Sequence, residues 1–222
     1  MALELPRKAS PVLTKKYKEA RLTWARAKVT WDVTKGGNCV FSDEKTFNLD
    51  GPDCMQYYWH DLRREPEIYS TRQSGGGSVM VWAAFCASDE NQNTERYIYT
   101  LSEYFLPFID RVYGRECVFQ QDNASIHTSG ATKELLKEEN VDVMDWSAKS
   151  PDLNPIDNMW GVLARAVYAH GRQFQTCEDL IETIQASWAA IGQDLITKLV
   201  ESMPKRYIAT LELHGAKTKY CV

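Results

Sequence analysis

Acidic residues beside strand-forming runs offer the clearest chemistry in this sequence. Asp43 follows the apolar segment CVFS, Asp122 closes VFQQD, and Asp157 falls in the first turn of a helical pattern that begins at Pro155. Carboxylates brought from separate elements to one edge of a sheet can hold divalent cations while leaving positions for water and phosphate oxygens. That arrangement is what two-metal phosphodiester chemistry requires. Each residue also has an ordinary explanation. Asp43 and Asp122 suit turns after strands, and Asp157 suits the positive end of a helix dipole. A chain with 30 acidic residues supplies many such triples, so these positions alone leave both readings open. His127 reads as a packed or capping residue, and Ser125 lacks the strand-turn-helix setting of a hydrolase nucleophile.

The elements that must position these acids follow from hydrophobic periodicity. Residues 14–34 read as a helix with Tyr17, Trp24 and Trp31 on one face, packed on the sheet that follows. A short strand is expected to end at Asp43, with a second at 46–49 after a tight turn. The connection at 50–77 is too long for an ordinary hairpin, and its triple glycine is not followed by Gly-Lys-Ser/Thr, which favours a flexible approach to the next strand over a phosphate loop. The run SVMVWAAFC is continuously apolar, which places it inside a sheet covered by helices. Helices are expected at 102–113 and 128–139, with strands at 117–121 and 141–146. Asn154 can cap a helix whose Ile156, Met159, Trp160, Leu163 and Val167 fall on one stripe. Helical segments at 177–191 and 194–213 close the chain, the second interrupted by Pro204. This order describes an α/β domain with a mixed sheet.

Composition narrows the class. The chain has 222 residues, 44% of them hydrophobic, enough for one large domain with a substantial core. The longest apolar stretch, 79–87, is too short to span a bilayer, and the opening MALELPRKASP lacks the apolar segment of a secretory signal, so no membrane role is expected. Six cysteines are scattered without a CxxC pair, which reads as reduced intracellular thiols rather than a zinc module or disulfide framework. The formal charge of -4 is uneven: residues 1–35 hold nine Lys or Arg against three Asp or Glu. This basic arm and helix, with Lys15 and Lys16, could touch phosphates or form a solvated helix face.

Three segments are similar to the signature blocks of Tc-like transposases in the Tc/mariner superfamily: VFSDEKTFNLDG at 40–51, VFQQDNASIHTS at 118–129 and DWSAKSPDLNPIDNMWGVL at 145–163. Between Asp122 and Asp157 lie 34 residues, the spacing of that superfamily's last two acids. The intervening GGGSVMVWAAF also resembles the family. The resemblance implies an RNase H-like fold with a mixed five-stranded sheet flanked by helices at 36–222. It implies a triad of Asp43, Asp122 and Asp157 holding two Mg2+ or Mn2+ ions, and DNA cleavage followed by joining to a target. It also implies that the 50–77 insertion reaches a partner subunit and DNA, with Trp59, Arg63 and Arg64 as contacts in a homodimer; their alternative is an exposed loop. A DNA substrate implies residence in the nucleus.

Two departures accompany the resemblance. Tc-like members end the triad with Glu in a PIEN context, whereas this chain has Pro155-Ile156-Asp157-Asn158; mariner members use Asp there. Asp is shorter by one methylene, which predicts a weaker grip on one metal unless the helix shifts inward. The paired helix-turn-helix modules that family members carry before the catalytic domain are not within these 222 residues. The leading reading is therefore a DNA transposase catalytic domain. The alternative is a domesticated, weakly active or inactive relative serving as a DNA-associated or protein-interaction module. A nuclease acting on RNA in hybrids is a third reading, by analogy of fold.

Overall fold

An apolar strand becomes stable when a neighbour satisfies its backbone and helices cover its faces. In the computed structural model, which describes residues 13–31, 33–52, 77–85, 97–113 and 116–220, the neighbour is one unbroken strand. Strand β1 (Cys39–Asn48) runs antiparallel to β2 (Ser78–Phe85), in register from Phe41 opposite Phe85 to Asn48 opposite Ser78. Its first residues run parallel to β3 (Val118–Gln120), which runs parallel to β4 (Asp142–Val143). The order β2-β1-β3-β4 makes a mixed sheet of four strands among the described residues, not the five that the resemblance implies.

This pairing corrects several expectations. The strands expected at 39–43 and 46–49 are one, because continuous pairing with β2 carries the polar stretch Asp43 to Thr46 through without a turn. The apolar run of β2 lies at the edge of the described sheet, and helices on both faces account for it. Val81, Ala83 and Phe85 enter one core and Trp82 and Ala84 the other. Strand β4 is far shorter than 141–146, since the chain turns away after the Met144 N–H donates to the Phe119 carbonyl at 2.7 Å.

Helices sandwich the sheet. In chain order they are α1 (Lys15–Lys28), α2 (Val33–Gly37), α3 (Tyr97–Thr100), which runs through a π turn at Leu101–Phe105 into α4 (Leu106–Tyr113), α5 (Gly130–Glu138), α6 (Pro155–Val167), α7 (Cys177–Ala189), α8 (Gln193–Glu201) and α9 (Met203–Glu212). The larger core joins Phe41 and Phe47 of β1 to α6 through α9 and to Trp24 of α1. The smaller joins Val40 to α4 and α5. Every residue of the expected α6 stripe is buried. Asn154 stands at the N-cap with extended backbone but makes no capping bond; its Nδ2 donates to the Ser42 carbonyl at 3.3 Å instead. The last helical stretch is split at Ser202, with Pro204 in the first turn of α9. Helix α1 packs chiefly on α9, Trp24 meeting Tyr207 and Trp146 edge-on, and Trp31 lies beyond its end. No helix among the described residues is long and apolar enough to cross a membrane.

A buried ionic clasp fixes the approach to α6. Arg21 and Asp152 have fully buried side chains and form a fork, Nη1 donating to Oδ1 at 2.8 Å and Nη2 to Oδ2 at 2.7 Å. The Thr218 N–H also donates to Asp152 Oδ2, and Arg206 Nη1 to the Asp152 carbonyl. Arg21 Nε donates to the carbonyl of Gly215, whose φ of +76° suits glycine and where an added Cβ would stand 2.2 Å from the Lys18 carbonyl oxygen. Gly215→Ala is therefore expected to cost more than about 1 kcal/mol, read as a lower melting temperature. An unchanged melt would show that the C-terminal segment is not held in this way.

Candidate active site

The three aspartates reach one cavity from three directions. Asp43 extends from the middle of β1, on the face that carries Phe41 and Phe47, and so does not close the strand. Asp122 lies two residues past β3, and Asp157 is in the first turn of α6. All three line a cavity of about 350 Å³ whose wall also includes Asn123, Trp146, Lys149 and Asn154. Among the described residues no three His, Cys, Asp or Glu side chains are drawn together into a ready metal cage. The aspartates stand around the wall instead.

Neighbouring groups give each acid a distinct character. Trp160 Nε1 donates to Asp43 Oδ2 at 3.0 Å. Burial, reinforced by the charges of Glu44 and Asp122, pushes the Asp43 carboxyl up to about 6. Asp157 is pushed up to about 8, by burial first and then by the charge of Asp43, against the pull of Arg206 and Lys45. Asp122 goes the other way: the His127 hydrogen bond, then the Ala124 N–H and the histidine's charge, hold it below the usual carboxylate range despite partial burial.

His127 packs inside, as expected, but caps no helix; Ser129 caps α5. Its Nδ1 lies 2.6 Å from Asp122 Oδ1 and its Nε2 3.1 Å from Glu44 Oε1. Carboxylates accept, so both ring nitrogens donate and the ring is an imidazolium. Burial would lower its pKa, but the two hydrogen bonds and both negative charges outweigh that and raise it to about 9. The Glu44 bridge was not found from sequence. Strand alternation sends Glu44 to the face opposite Asp43, but nothing local tells which residue meets it there.

Asp43, Asp157 and His127 thus hold protons more tightly in the folded chain than in the unfolded one. The stability they contribute is complete below their unfolded pKa values and is lost as pH rises through their folded values of about 6, 8 and 9. With divalent cations chelated, the melting temperature is expected to fall from pH 5 to pH 9. A flat or rising curve would contradict these environments.

Of the other predicted contacts, Lys15 and Lys16 are exposed on α1, Lys15 near Glu19 at 3.9 Å. Trp59, Arg63 and Arg64 lie outside the described residues. Two cavity residues went unremarked in the sequence. Lys149 stands over the Tyr17 ring with a φ of 56°, and Ser150 is buried, its Oγ donating to the Ala148 carbonyl.

Residues 38–181 match the family model of the DDE superfamily endonucleases. The chain belongs to this family. As a member it is a transposase catalytic domain of the Tc1/mariner kind. It is 38% identical to the Tc3 transposase of Caenorhabditis elegans over 95% of its own length, and spans 66% of that relative. With the Tcb2 transposase of Caenorhabditis briggsae it shares 35% identity, covering 95% of this chain and 80% of the relative. The fold is similar to that of the Mos1 transposase in its paired-end complex with the left transposon end, at a TM-score of 0.81 and 19% identity over 98% of this chain and 68% of that one. The Mos1 mariner paired-end complex with Mn is similar at a TM-score of 0.77 and 20% identity, covering 100% and 68%. These likenesses place the domain in the α/β, RNase H-like class.

Proposed function

We propose that this domain cuts DNA at transposon ends and joins them to target DNA with the help of two divalent cations held by Asp43, Asp122 and Asp157. The observation that carries the reading is the meeting of three carboxylates, from β1, the end of β3 and α6, at one cavity. The donor set fits magnesium or manganese: oxygen ligands suit hard cations. Burial first, and then the charges of neighbouring carboxyls, raise the proton affinities of Asp43 and Asp157; the second of these causes would be relieved by a bound cation. The Mn complex reported for the Mos1 relative supports the same choice. Bound there, such ions supply Lewis-acid stabilisation of the phosphate and make an attacking oxygen more nucleophilic.

The chain's own side chains do the rest. Asp43 stands between the other two acids electrostatically, feeling the charge of Asp122 and imposing its own on Asp157. Lys149, on the same wall, places a positive charge where a DNA phosphate would approach. Ser150 is the single hydroxyl among the described lining residues, and it is buried and engaged with a carbonyl. No hydroxyl of the described wall is thus presented as a nucleophile, and in this reading the attacking oxygen is that of water or a DNA 3'-hydroxyl. Assembly as a homodimer, contacts from Lys15 and Lys16, and nuclear residence belong to this proposal.

The test is cleavage and joining of pre-nicked transposon-end DNA with magnesium or manganese, comparing the parent with Asp157→Glu. Both are expected to cut, and chelation to stop both. If neither cuts, the reading fails. The short third acid, in a sequence worded like the Glu branch, favours a second reading, a transposase-derived DNA-associated module with weak or no catalysis. Cutting by the Glu variant alone would favour it strongly.

A further inference from the structure

Two of the three carboxylates are held by buried ring N–H groups, each ring bonding one oxygen, and the Glu44 N–H also donates to the Asp43 carboxyl. Trp160 reaches Asp43 Oδ2 at 3.0 Å, and His127 reaches Asp122 Oδ1 at 2.6 Å. Both rings are buried, at 3% and 2% exposure, so the donors come from inside the domain, whereas the Asp122 carboxylate that His127 holds is half exposed at the cavity. The Ala124 N–H converges on the same Asp122 Oδ1 at 2.8 Å, which doubles the load on that oxygen and leaves the other without a hydrogen-bond donor from the described residues. Behind His127 stands Glu44, 3.1 Å from the far ring nitrogen, which holds the ring plane. Trp160 packs against the rings of Phe47 and Trp188. Among the described residues, no side-chain hydrogen bond restrains the Asp157 carboxyl. The wall thus has two carboxylates locked in orientation and one able to adjust.

Resting on the two-cation reading above, we infer that Trp160 and His127 are positioning residues: each occupies one oxygen of Asp43 or Asp122, so that the other oxygen is the one offered to a cation. The logic is that of partners behind metal ligands generally, which fix ligand orientation and whose loss weakens metal binding by about 10- to 100-fold. Side chains that only filled space would leave cation affinity insensitive to the donor.

The experiment is a manganese titration of the whole chain, following free Mn2+ by electron paramagnetic resonance, with melting temperature measured on each variant. Trp160→Phe keeps an aromatic ring and removes the N–H. His127→Asn keeps a donor at the position of Nδ1, toward Asp122, whereas His127→Gln places its donor toward Glu44 instead. Trp160→Phe and His127→Gln are each expected to bind Mn2+ at least about tenfold more weakly than the parent, with His127→Asn restoring most of the affinity. Each His127 variant keeps one arm of the bridge and loses the other, so a merely structural role would lower stability and affinity alike in both. Equal affinity in the parent, Trp160→Phe and His127→Gln, with binding lost in Asp43→Asn, would overturn the positioning roles and leave the two-cation reading standing. Absence of Mn2+ binding by the parent itself would overturn both. Should one ring variant fail to fold, the other carries the same comparison.

Discussion

Asp43→Asn is expected to lower cation-dependent DNA cleavage by about three orders of magnitude while leaving the melting temperature at pH 8 unchanged or higher. The two effects separate because asparagine keeps an acceptor for Trp160 Nε1 and removes only the charge. Lewis-acid stabilisation of a transferring phosphate is worth several kcal/mol, and each 1.4 kcal/mol is tenfold in rate, which sets the scale. Asp43 is the acid whose charge is felt at Asp157 and which itself feels Asp122, so its loss disables both halves of the site rather than one. Stability should not suffer, since burial already drives this carboxyl up to about 6 and a neutral amide escapes that cost. Parental cleavage by Asp43→Asn would remove it from the chemistry.

The largest effect on stability is expected at Arg21→Met, a loss of about 3–5 kcal/mol. Asp152 would remain fully buried with its charge uncompensated. Burial by itself raises that carboxyl, and the Arg21 hydrogen bonds, the Thr218 N–H and the arginine's charge together bring it below the usual range. For a domain of this size such a loss corresponds to a drop of roughly 10 °C in melting temperature. Removing both charges, in Arg21→Met with Asp152→Leu, should recover part of the loss, although the Thr218 N–H then lacks its acceptor. A single variant that melts with the parent would show that the clasp is not what fixes the approach to α6.

Local regularities made the scaffold readable. The apolar runs at 39–42 and 79–85 can only be strands in a covered sheet, and the stripe from Ile156 to Val167 can only be one buried face of a helix. The split before Met203 follows from a proline that lacks an N–H. Other boundaries were misread where pairing outweighs local preference. A strand seemed to stop at Asp43, yet hydrogen bonding along β2 carries β1 on to Asn48.

By itself the sequence singled out the three acids proposed to carry the chemistry, because the signature blocks are written in order and the 34-residue spacing can be read along the chain. Only the tertiary structure decided how those acids are held. Glu44 meets His127 across 83 positions, Trp160 meets Asp43 across 117, and Arg21 meets Asp152 across 131. A buried polar group must find a partner wherever the fold brings one, and that partner leaves no periodic mark near it in the chain.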